Sequence, residues 1–185
     1  STPRLLALSA TSGSVVWFQA YDSAAPSALG GAGVVVLPGG EVYIAFHADN
    51  PSALANVGIA QGTVLVRIDT TTGAAVSADL HQLGDDFLPY ALLTDSTGQM
   101  VLGTTVNSST DTTITVGGVD IGHNPSTARE IGVFGFSPNG QYQWSNSFGT
   151  AADDDLGSIA LSAEGSVFVA GAFGMDFNVD AVTVD

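Results

Sequence analysis

Two kinds of short apolar hairpin alternate along the chain, and this alternation constrains the fold more than any other feature. Each hairpin is an apolar stretch, a turn of small residues with one glycine, and a second apolar stretch. The first type reads LLALSATSGSVVWF in its first copy, and its copies lie at 5–18, 64–77 and 133–144. The second type reads VVVLPGGEVYIAF in its first copy, and its copies lie at 34–46, 91–104 and 159–171. A second-type hairpin follows each first-type hairpin, so the repeat length is about 60 residues.

The hairpins predict an all-β chain. Their stretches are rich in β-branched and aromatic residues, and apolar residues at helical spacing are nearly absent. A unit of four short strands that returns every 60 residues or so is typical of the blades of a β-propeller. We therefore expect a single β-propeller region over 1–185 with about three four-stranded blades. Its repeats lie at about 4–62, 63–131 and 132–185.

The order of the hairpins predicts how the blades are divided. With the second type as the inner pair of strands and the first type as the outer pair, 31–81 forms one blade and 88–149 the next. An outer pair at the N-terminus and an inner pair at 156–185 are left over. A closed propeller has about four to eight blades. The chain is therefore expected to be part of a larger propeller, or to assemble with other copies.

Six turn glycines and two tryptophans are predicted to fix this architecture. Tight hairpin turns need a positive φ, which glycine adopts without strain. The turn glycines are Gly13, Gly73 and Gly140 in the first type and Gly40, Gly98 and Gly165 in the second. Trp17 and Trp144 occupy equivalent places after the first-type turns, and we expect their rings to wedge between blades. The middle repeat has Ser77 at that place.

The charge of the chain disfavours several classes of partner. Eighteen acidic residues stand against three basic ones, with a formal net charge of −15. Such a polyanion repels nucleic-acid backbones and anionic membrane surfaces, and no apolar run approaches the ~20 residues of a bilayer span. We expect no nucleic-acid partner and no membrane insertion. The acidic composition favours a secreted or surface-displayed bacterial protein, because negative charge aids solubility.

The last repeat resembles a known family. GFSPNGQYQWSNSFGTAADDDLGSIA at 135–160, followed by LSAEGSVFVAGAFGMDFNVDAVTV at 161–184, resembles the bacterial β-propeller repeat called the SBBP type. The matching positions are Gly140, Trp144, Phe148-Gly149, Asp155, Gly165 and Ala170-Gly171. The middle repeat matches loosely, and the first departs at Ala20-Tyr21, where the pattern has Phe-Gly. The resemblance implies a propeller fold and a secreted protein, and it implies no particular activity.

A second resemblance bears on catalysis. ALSATSGSVVW at 7–17 is similar to the tryptophan-docking motif of quinoprotein-type propellers, with Ser9 where that motif prefers Asp. Dehydrogenases of that kind need a cofactor and a metal, and usually vicinal cysteines, whereas this chain has no cysteine. Nor does it contain a recognisable nucleophile motif. We therefore expect a protein that is not an enzyme, with no catalytic residues and no bound organic cofactor.

Two acidic loops are the candidate metal sites. Asp85 and Asp86 lie between hairpins of one repeat, and Asp153 and Asp155 lie at the same place in the next. Carboxylate oxygens are the ligands that Ca²⁺ prefers, so both loops are candidate calcium sites. The alternative is a solvated loop or an aspartate that caps backbone N–H groups. The histidines, His47, His81 and His123, lack metal-ligand spacing and are expected at the surface or in turns.

The preferred function is a non-catalytic, extracellular scaffold that binds a protein or a glycan. Tyr43, Phe46, Tyr90 and Phe173 are candidates for stacking on sugars, or else they belong to the core. The first alternative is a structural subunit that self-assembles into an extracellular filament or surface layer. A quinoprotein-like or hydrolytic enzyme is the least favoured alternative. The fold alone does not indicate such an activity.

Overall fold

The computed structural model describes residues 4–20, 33–48, 62–84, 87–106, 113–116, 119–122, 128–149 and 152–174. Every regular element in these residues is a β-strand, which confirms the all-β prediction. The strands are β1 (Arg4–Leu8), β2 (Val15–Ala20), β3 (Gly33–Val36), β4 (Val42–Ala48), β5 (Gly62–Ile68), β6 (Ala75–Gly84), β7 (Phe87–Thr94), β8 (Met100–Val106), β9 (Thr113–Val116), β10 (Val119–Gly122), β11 (Glu130–Phe136), β12 (Tyr142–Phe148), β13 (Asp155–Leu161) and β14 (Val167–Ala172).

The strands form two antiparallel four-stranded sheets and three separate hairpins. The first sheet has the order β3-β4-β5-β6, and the second has the order β7-β8-β11-β12. They cover 33–84 and 87–148, the two stretches in which the sequence placed four strands each. The N-terminal hairpin (β1–β2), the hairpin β9–β10 and the C-terminal hairpin (β13–β14) are two-stranded within the described residues. In this described part of the chain no sheet closes on itself, and the propeller arrangement stays a prediction.

The central core lies between the first and second sheets. Tyr43, Ala45 and Leu65 of the first sheet pack against Leu102 and Phe134 of the second, and all five are buried. Phe134 also meets the ring of Phe87 edge to face, with the centroids 5.1 Å apart. This geometry directs the positive ring edge at the negative face, which stabilises the pair beyond simple area burial. The two sheets are thus joined by one continuous apolar layer.

The two terminal hairpins cover the opposite faces of the sheets. Leu5 and Trp17 of the N-terminal hairpin pack on a buried cluster of the first sheet that includes Ile44 and Val66. In the C-terminal hairpin, Leu156 and Ile159 pack on a cluster of the second sheet that includes Val101, Ile131 and Val133. The order of layers is therefore N-terminal hairpin, first sheet, second sheet, C-terminal hairpin.

Six hairpin turns are each closed by a hydrogen bond from a glycine N–H, which reaches four residues back at Gly13 and Gly73 and three residues back in the other four turns. In each, the glycine N–H donates to the carbonyl of a residue near the end of the preceding strand, at 2.8–3.2 Å. Within the described residues the glycines with positive φ are these six, namely Gly13, Gly40, Gly73, Gly98, Gly140 and Gly165. They are the turn glycines selected from the sequence. The hairpin repeat is therefore a repeat of local backbone geometry as well as of composition.

Leu102 tests the central core because its side chain is fully buried between the two sheets. We expect Leu102→Ala to lower the free energy of unfolding by about 2–5 kcal/mol through lost contacts and the cavity left behind. The matched control Leu102→Met keeps the volume and is expected to cost less than about 1.5 kcal/mol. Urea unfolding followed by circular dichroism measures both. Equal losses in the two variants would contradict a close-packed interface.

Candidate docking site at the ends of the sheet stack

Trp17 fastens the N-terminal hairpin to the first sheet. Its indole Nε1 donates to the backbone carbonyl of Thr70, in the turn between β5 and β6, at 2.8 Å. The ring also covers Gly73, where an added Cβ would lie 2.7 Å from the ring carbon Cε3. The tryptophan therefore contacts this turn of the neighbouring layer in two ways, through a hydrogen bond and through close packing of its ring. Trp17 thus joins the N-terminal hairpin to the next layer, and its predicted role as a wedge between propeller blades stays a prediction.

The turn that receives Trp17 is held in place by Asp69. One carboxylate oxygen of Asp69 accepts from the N–H groups of Thr71 and Thr72, at 2.8 and 2.9 Å. Donation from Thr72, and next from Thr71, holds the pKa of Asp69 below its ordinary value of 3.8. Ser9 occupies the same place in the N-terminal hairpin, where its hydroxyl accepts from the N–H of Ser12 at 3.2 Å. Both turns are thus held by hydrogen bonds between their own side chains and backbone N–H groups.

Trp144 has a different environment from Trp17. It pairs with Gly135 across β11 and β12, and its ring lies directly over that glycine within its own sheet. Its residue exposure is 39%. No hydrogen bond from its indole to another layer is seen in the described residues, so the wedge predicted for Trp144 lacks a turn to dock on there. The sequence treats the two tryptophans as equivalent, but the neighbouring layer differs.

Large apolar side chains are exposed at both ends of the stack. Leu8 on the N-terminal hairpin is 55% exposed, and Phe168 on the C-terminal hairpin is 63% exposed. Such side chains are normally buried in strands, and a contiguous exposed set is typical of an interaction surface. The exposed set on the N-terminal side is Leu6, Leu8, Val15, Val16 and Phe18 together with Val34 and Val36 of β3, and on the C-terminal side it is Trp144, Phe168 and Val169.

The acidic loop before β13 is an ion-pair clamp on Arg129. The guanidinium lies 2.9 Å from Asp155 Oδ1 (Nη1) and 3.3 Å from Asp153 Oδ2 (Nη2). Asp153 also accepts from the backbone N–H of Arg129 at 3.0 Å. That backbone hydrogen bond, followed by the charge of Arg129, holds the pKa of Asp153 below its ordinary value. Asp154 is buried and accepts from the N–H of Gly174 at 2.9 Å.

The calcium prediction for Asp153 and Asp155 stays a prediction, and the loop already contacts a cationic side chain. Asp153 and Asp155 direct carboxylate oxygens at a cation that the chain itself supplies, and this is the contact that a metal ion would otherwise make. Across the described residues, no group of three or more acidic, histidine or cysteine side chains is placed to hold a metal ion. Asp85 and Asp86 lie outside the described residues, so a calcium site there stays a prediction.

The prediction that His47 lies at the surface or in a turn is wrong. His47 lies inside β4 and is buried, with Nδ1 3.1 Å from the hydroxyl of Thr63 and 3.0 Å from the carbonyl of Phe87. The Thr63 hydroxyl donates to the same carbonyl. These bonds tie the first sheet to the start of the second, and buried polar groups need such partners. Of the other histidines, His81 lies in β6 and His123 lies outside the described residues.

The four aromatic residues considered for sugar stacking fall into two groups. Tyr43 and Phe46 are buried, so their faces belong to the core. Tyr90 and Phe173 are exposed by 49% and 37% respectively. Tyr90 lies on β7 and Phe173 lies just after β14. Because Tyr43 and Phe46 are buried, two of the four predicted members of the sugar-binding set are not available at the surface. In the part of the chain that the structure describes, no helix has the length and hydropathy of a membrane span.

No family model, curated protein or solved structure matches this chain. The SBBP-type repeat and the tryptophan-docking motif therefore stay resemblances of sequence. What the chain does has to be inferred from its own contacts, burial and charges, and these direct attention to the two apolar ends.

A matched pair of glycine variants tests the docking of Trp17. Gly13 and Gly73 both have positive φ, at 68° and 76°, but an added Cβ meets open space at Gly13 and the Trp17 ring at Gly73. We expect Gly13→Ala to cost about 1–2 kcal/mol of unfolding free energy from backbone strain alone. Gly73→Ala should cost about 1–3 kcal/mol more, because the ring must move. Urea unfolding at a concentration where the chain is monomeric measures both. Equal losses would contradict the docking.

The acidic clamp makes a prediction about pH. Because the pKa of Asp153 is lowered in the folded state, its stabilising effect is complete above 3.8 and is lost as the pH falls through the folded pKa. Falling pH also relieves repulsion among the other acidic residues, so the two effects must be separated. We expect Asp153→Asn to be destabilised at pH 7 and to differ less from the wild type below pH 3 or so. Urea unfolding between about pH 2 and about pH 7 measures the free energy of unfolding of both proteins. A difference between them that does not change with pH would contradict the clamp.

Proposed function

We propose that this chain is a non-catalytic β-propeller segment, secreted or displayed at the cell surface, that works as a scaffold for binding another protein. The observation that carries the proposal is the pair of apolar ends, where strands expose large side chains on otherwise ordered sheets. A protein partner covers such faces readily, because burying apolar area is the main driving force of protein association. The packed sheets hold the backbone of both exposed faces in a fixed conformation.

Three observations support the propeller form of this scaffold. The two complete sheets are short, four-stranded and antiparallel, with their strands in chain order. They pack face to face in sequence, and each terminal hairpin repeats half of the same unit. Trp17 links one layer to the next through a turn of its outer hairpin. This combination is typical of successive propeller blades.

A protein partner fits the exposed surface better than a glycan does. Sugar sites combine an aromatic platform with converging polar groups, and Tyr43 and Phe46 are buried rather than available for such a platform. The exposed side chains at the N-terminal end are mainly aliphatic, with Leu8 and Val36 as examples. Aliphatic faces complement other apolar protein surfaces and offer nothing that hydrogen-bonds a sugar hydroxyl. Glycan binding is therefore the less favoured form of the scaffold.

A structural subunit is the second candidate, and one observation favours it. The apolar surface lies at both ends of the stack rather than at one, so each copy has two places at which to join a neighbour. Interfaces that join different surfaces of identical subunits generate rings or filaments. Assembly and scaffolding are compatible, because an assembled propeller still presents its loops to other partners.

Photocross-linking from the apolar end tests the scaffold proposal. Benzoylphenylalanine replaces Leu8, which is 55% exposed on the N-terminal hairpin, or Ser96, an exposed residue of the turn between β7 and β8, as the matched control. The protein is expressed with export to the medium, irradiated and analysed by mass spectrometry. We expect the yield of protein adducts from position 8 to exceed the yield from position 96 by about tenfold or more, because only position 8 lies on an interaction face.

The outcomes separate the forms of the proposal. Adducts to any protein, including the chain itself, support binding at this end. A glycan array signal that persists while position 8 gives no protein adduct would favour the glycan form instead. Equal adduct yields at positions 8 and 96 would overturn the proposal.

A further inference from the structure

The two ends of the stack carry complementary halves of a sheet. In both complete sheets a second-type hairpin supplies the first two strands and a first-type hairpin the last two. The C-terminal hairpin is of the second type, and in the described residues nothing pairs with the outer edge of β14. The N-terminal hairpin is of the first type, and in the same residues nothing pairs with the outer edge of β1. Because the two hairpins cover opposite ends, they cannot meet within one folded chain.

The complete sheets show how the two halves join. In the first sheet, β4 pairs antiparallel with β5, and Val42, two residues after its turn glycine, lies opposite Ile68. In the second, β8 pairs with β11, and Met100, two residues after its turn glycine, lies opposite Phe136. Ile68 and Phe136 both immediately precede a first-type turn. The same rule applied to the terminal hairpins places Val167 opposite Leu8.

We propose that the chain associates with a second copy of itself through antiparallel pairing of β14 with β1 of that copy, completing a four-stranded sheet across the junction. This proposal rests on the scaffold function above and names the partner of its apolar ends. The register follows from the two internal sheets, so Val169 lies opposite Leu6 of the second copy and Ala170 lies opposite its Leu5. Pairing satisfies two open rows of backbone N–H and C=O groups, which are otherwise a liability of edge strands.

The junction buries the side chains that are exposed in the single chain. Leu6 and Leu8 share the face of β1 turned away from the first sheet, and their equivalents Val66 and Ile68 are buried against the preceding layer. At the junction the preceding layer is the second sheet of the other copy.

Phe168 corresponds to Tyr43, which packs on the following layer. At the junction that layer is the first sheet of the second copy. The residues left to receive Phe168 are Val34 and Val36, which are 55% and 61% exposed in the single chain.

Trp144 supplies a second, independent line of support. Trp17 docks on the outer turn of the layer that follows it, through Thr70 and Gly73. The layer that follows Trp144 has no outer hairpin within the described residues, and Trp144 is partly exposed. In the proposed sheet that outer hairpin is β1–β2 of the second copy. Its turn glycine, Gly13, has open space where an added Cβ would stand, so the place is free to receive the ring.

Two copies together contain as many sheets as a closed propeller has blades. Each copy contributes two complete sheets, and each junction adds one shared sheet, so two copies joined at both junctions contain six sheets. Six lies within the range of about four to eight blades for closed propellers. Both junctions are then identical, as two-fold symmetry requires. For the 185-residue chain the expected species therefore has twice the mass of 18.6 kDa.

Disulfide trapping tests the register directly, because the chain has no cysteine of its own. Val169→Cys protein is mixed with Leu6→Cys protein under mild oxidation, so that the bond between the two positions joins separate molecules. We expect a mixed disulfide dimer, identified by mass spectrometry of the joined peptides. In the control mixture Ala7→Cys replaces Leu6→Cys. Its side chain points to the other face of the strand, so the yield should fall by about tenfold because the Cβ atoms diverge.

Association measured in solution tests the same junction without cysteines. Sedimentation equilibrium is expected to show dimers of the wild type, with the dissociation constant raised about tenfold or more by Gly13→Ala, because the added methyl group meets Trp144 of the other copy. Gly165→Ala is the matched control. Its φ is 86° and its added Cβ also meets open space. Its turn adjoins β14, but an added Cβ at its counterpart in the first sheet, Gly40, does not meet Trp17, so we expect Trp144 not to reach Gly165. Gly165→Ala should leave the dissociation constant unchanged.

Fluorescence reports on Trp144 itself. Trp17→Phe leaves Trp144 as the sole tryptophan. Its emission is expected to shift to shorter wavelength as the protein concentration rises through the dissociation constant, because docking removes the ring from water. Gly13→Ala in this background should suppress the shift, and Gly165→Ala should not.

The outcomes decide between the two proposals. A species with the mass of one chain at every concentration, or equal disulfide yields for positions 6 and 7, would overturn pairing with a second copy. Equal effects of Gly13→Ala and Gly165→Ala on the dissociation constant would overturn it as well. If position 8 then still yields adducts to another protein, the scaffold function stands without self-association. If it yields no protein adducts, the scaffold function falls too.

Discussion

Both complete sheets carry apolar side chains on both faces, and this constraint governs the rest of the described structure. A sheet with two apolar faces needs a layer on each side, because water makes exposed apolar area costly. The central core covers one face of each complete sheet, and the terminal hairpins cover the other faces only in part. Stacking in series follows, and so does an uncovered remainder at each end. The apolar ends are the unfinished part of the stacking that holds the interior together.

Specific polar contacts link the layers of the structure. Asp69 fixes the turn that receives Trp17, and Gly73 leaves room for the ring. His47 and Thr63 link the two complete sheets through the carbonyl of Phe87, and Arg129 links the second sheet to the loop before β13. The few basic residues of an acidic chain therefore matter locally. Arg129 offsets carboxylates that would otherwise repel one another at short range.

Much of the fold was predictable because its signals are local. The hairpin repeat predicted the strands, and the glycines that need positive φ could be chosen from turn composition alone. The division into sheets followed from the order of hairpin types, since neighbouring hairpins in sequence pair in space. The candidate site was less predictable. The order of the hairpins predicts an unpaired hairpin at each end, but the sequence leaves the acidic loop open between a calcium site and a solvated or capping loop. The ion pair at 2.9 Å between Arg129 and Asp155 depends on the packing of two distant segments, so no local pattern reveals it.

By itself, then, the sequence determined the hairpins, their turns and their grouping, because hydrophobic alternation and glycine placement act within a few residues. Only the tertiary structure decided what each side chain meets. His47 is buried because β4 lies between other strands and layers, and no spacing of histidines reveals that. Trp17 and Trp144 follow the same sequence pattern, yet one has a neighbouring turn to dock on and the other, within the described residues, has none. The difference lies in the neighbouring layer, which a local pattern does not encode.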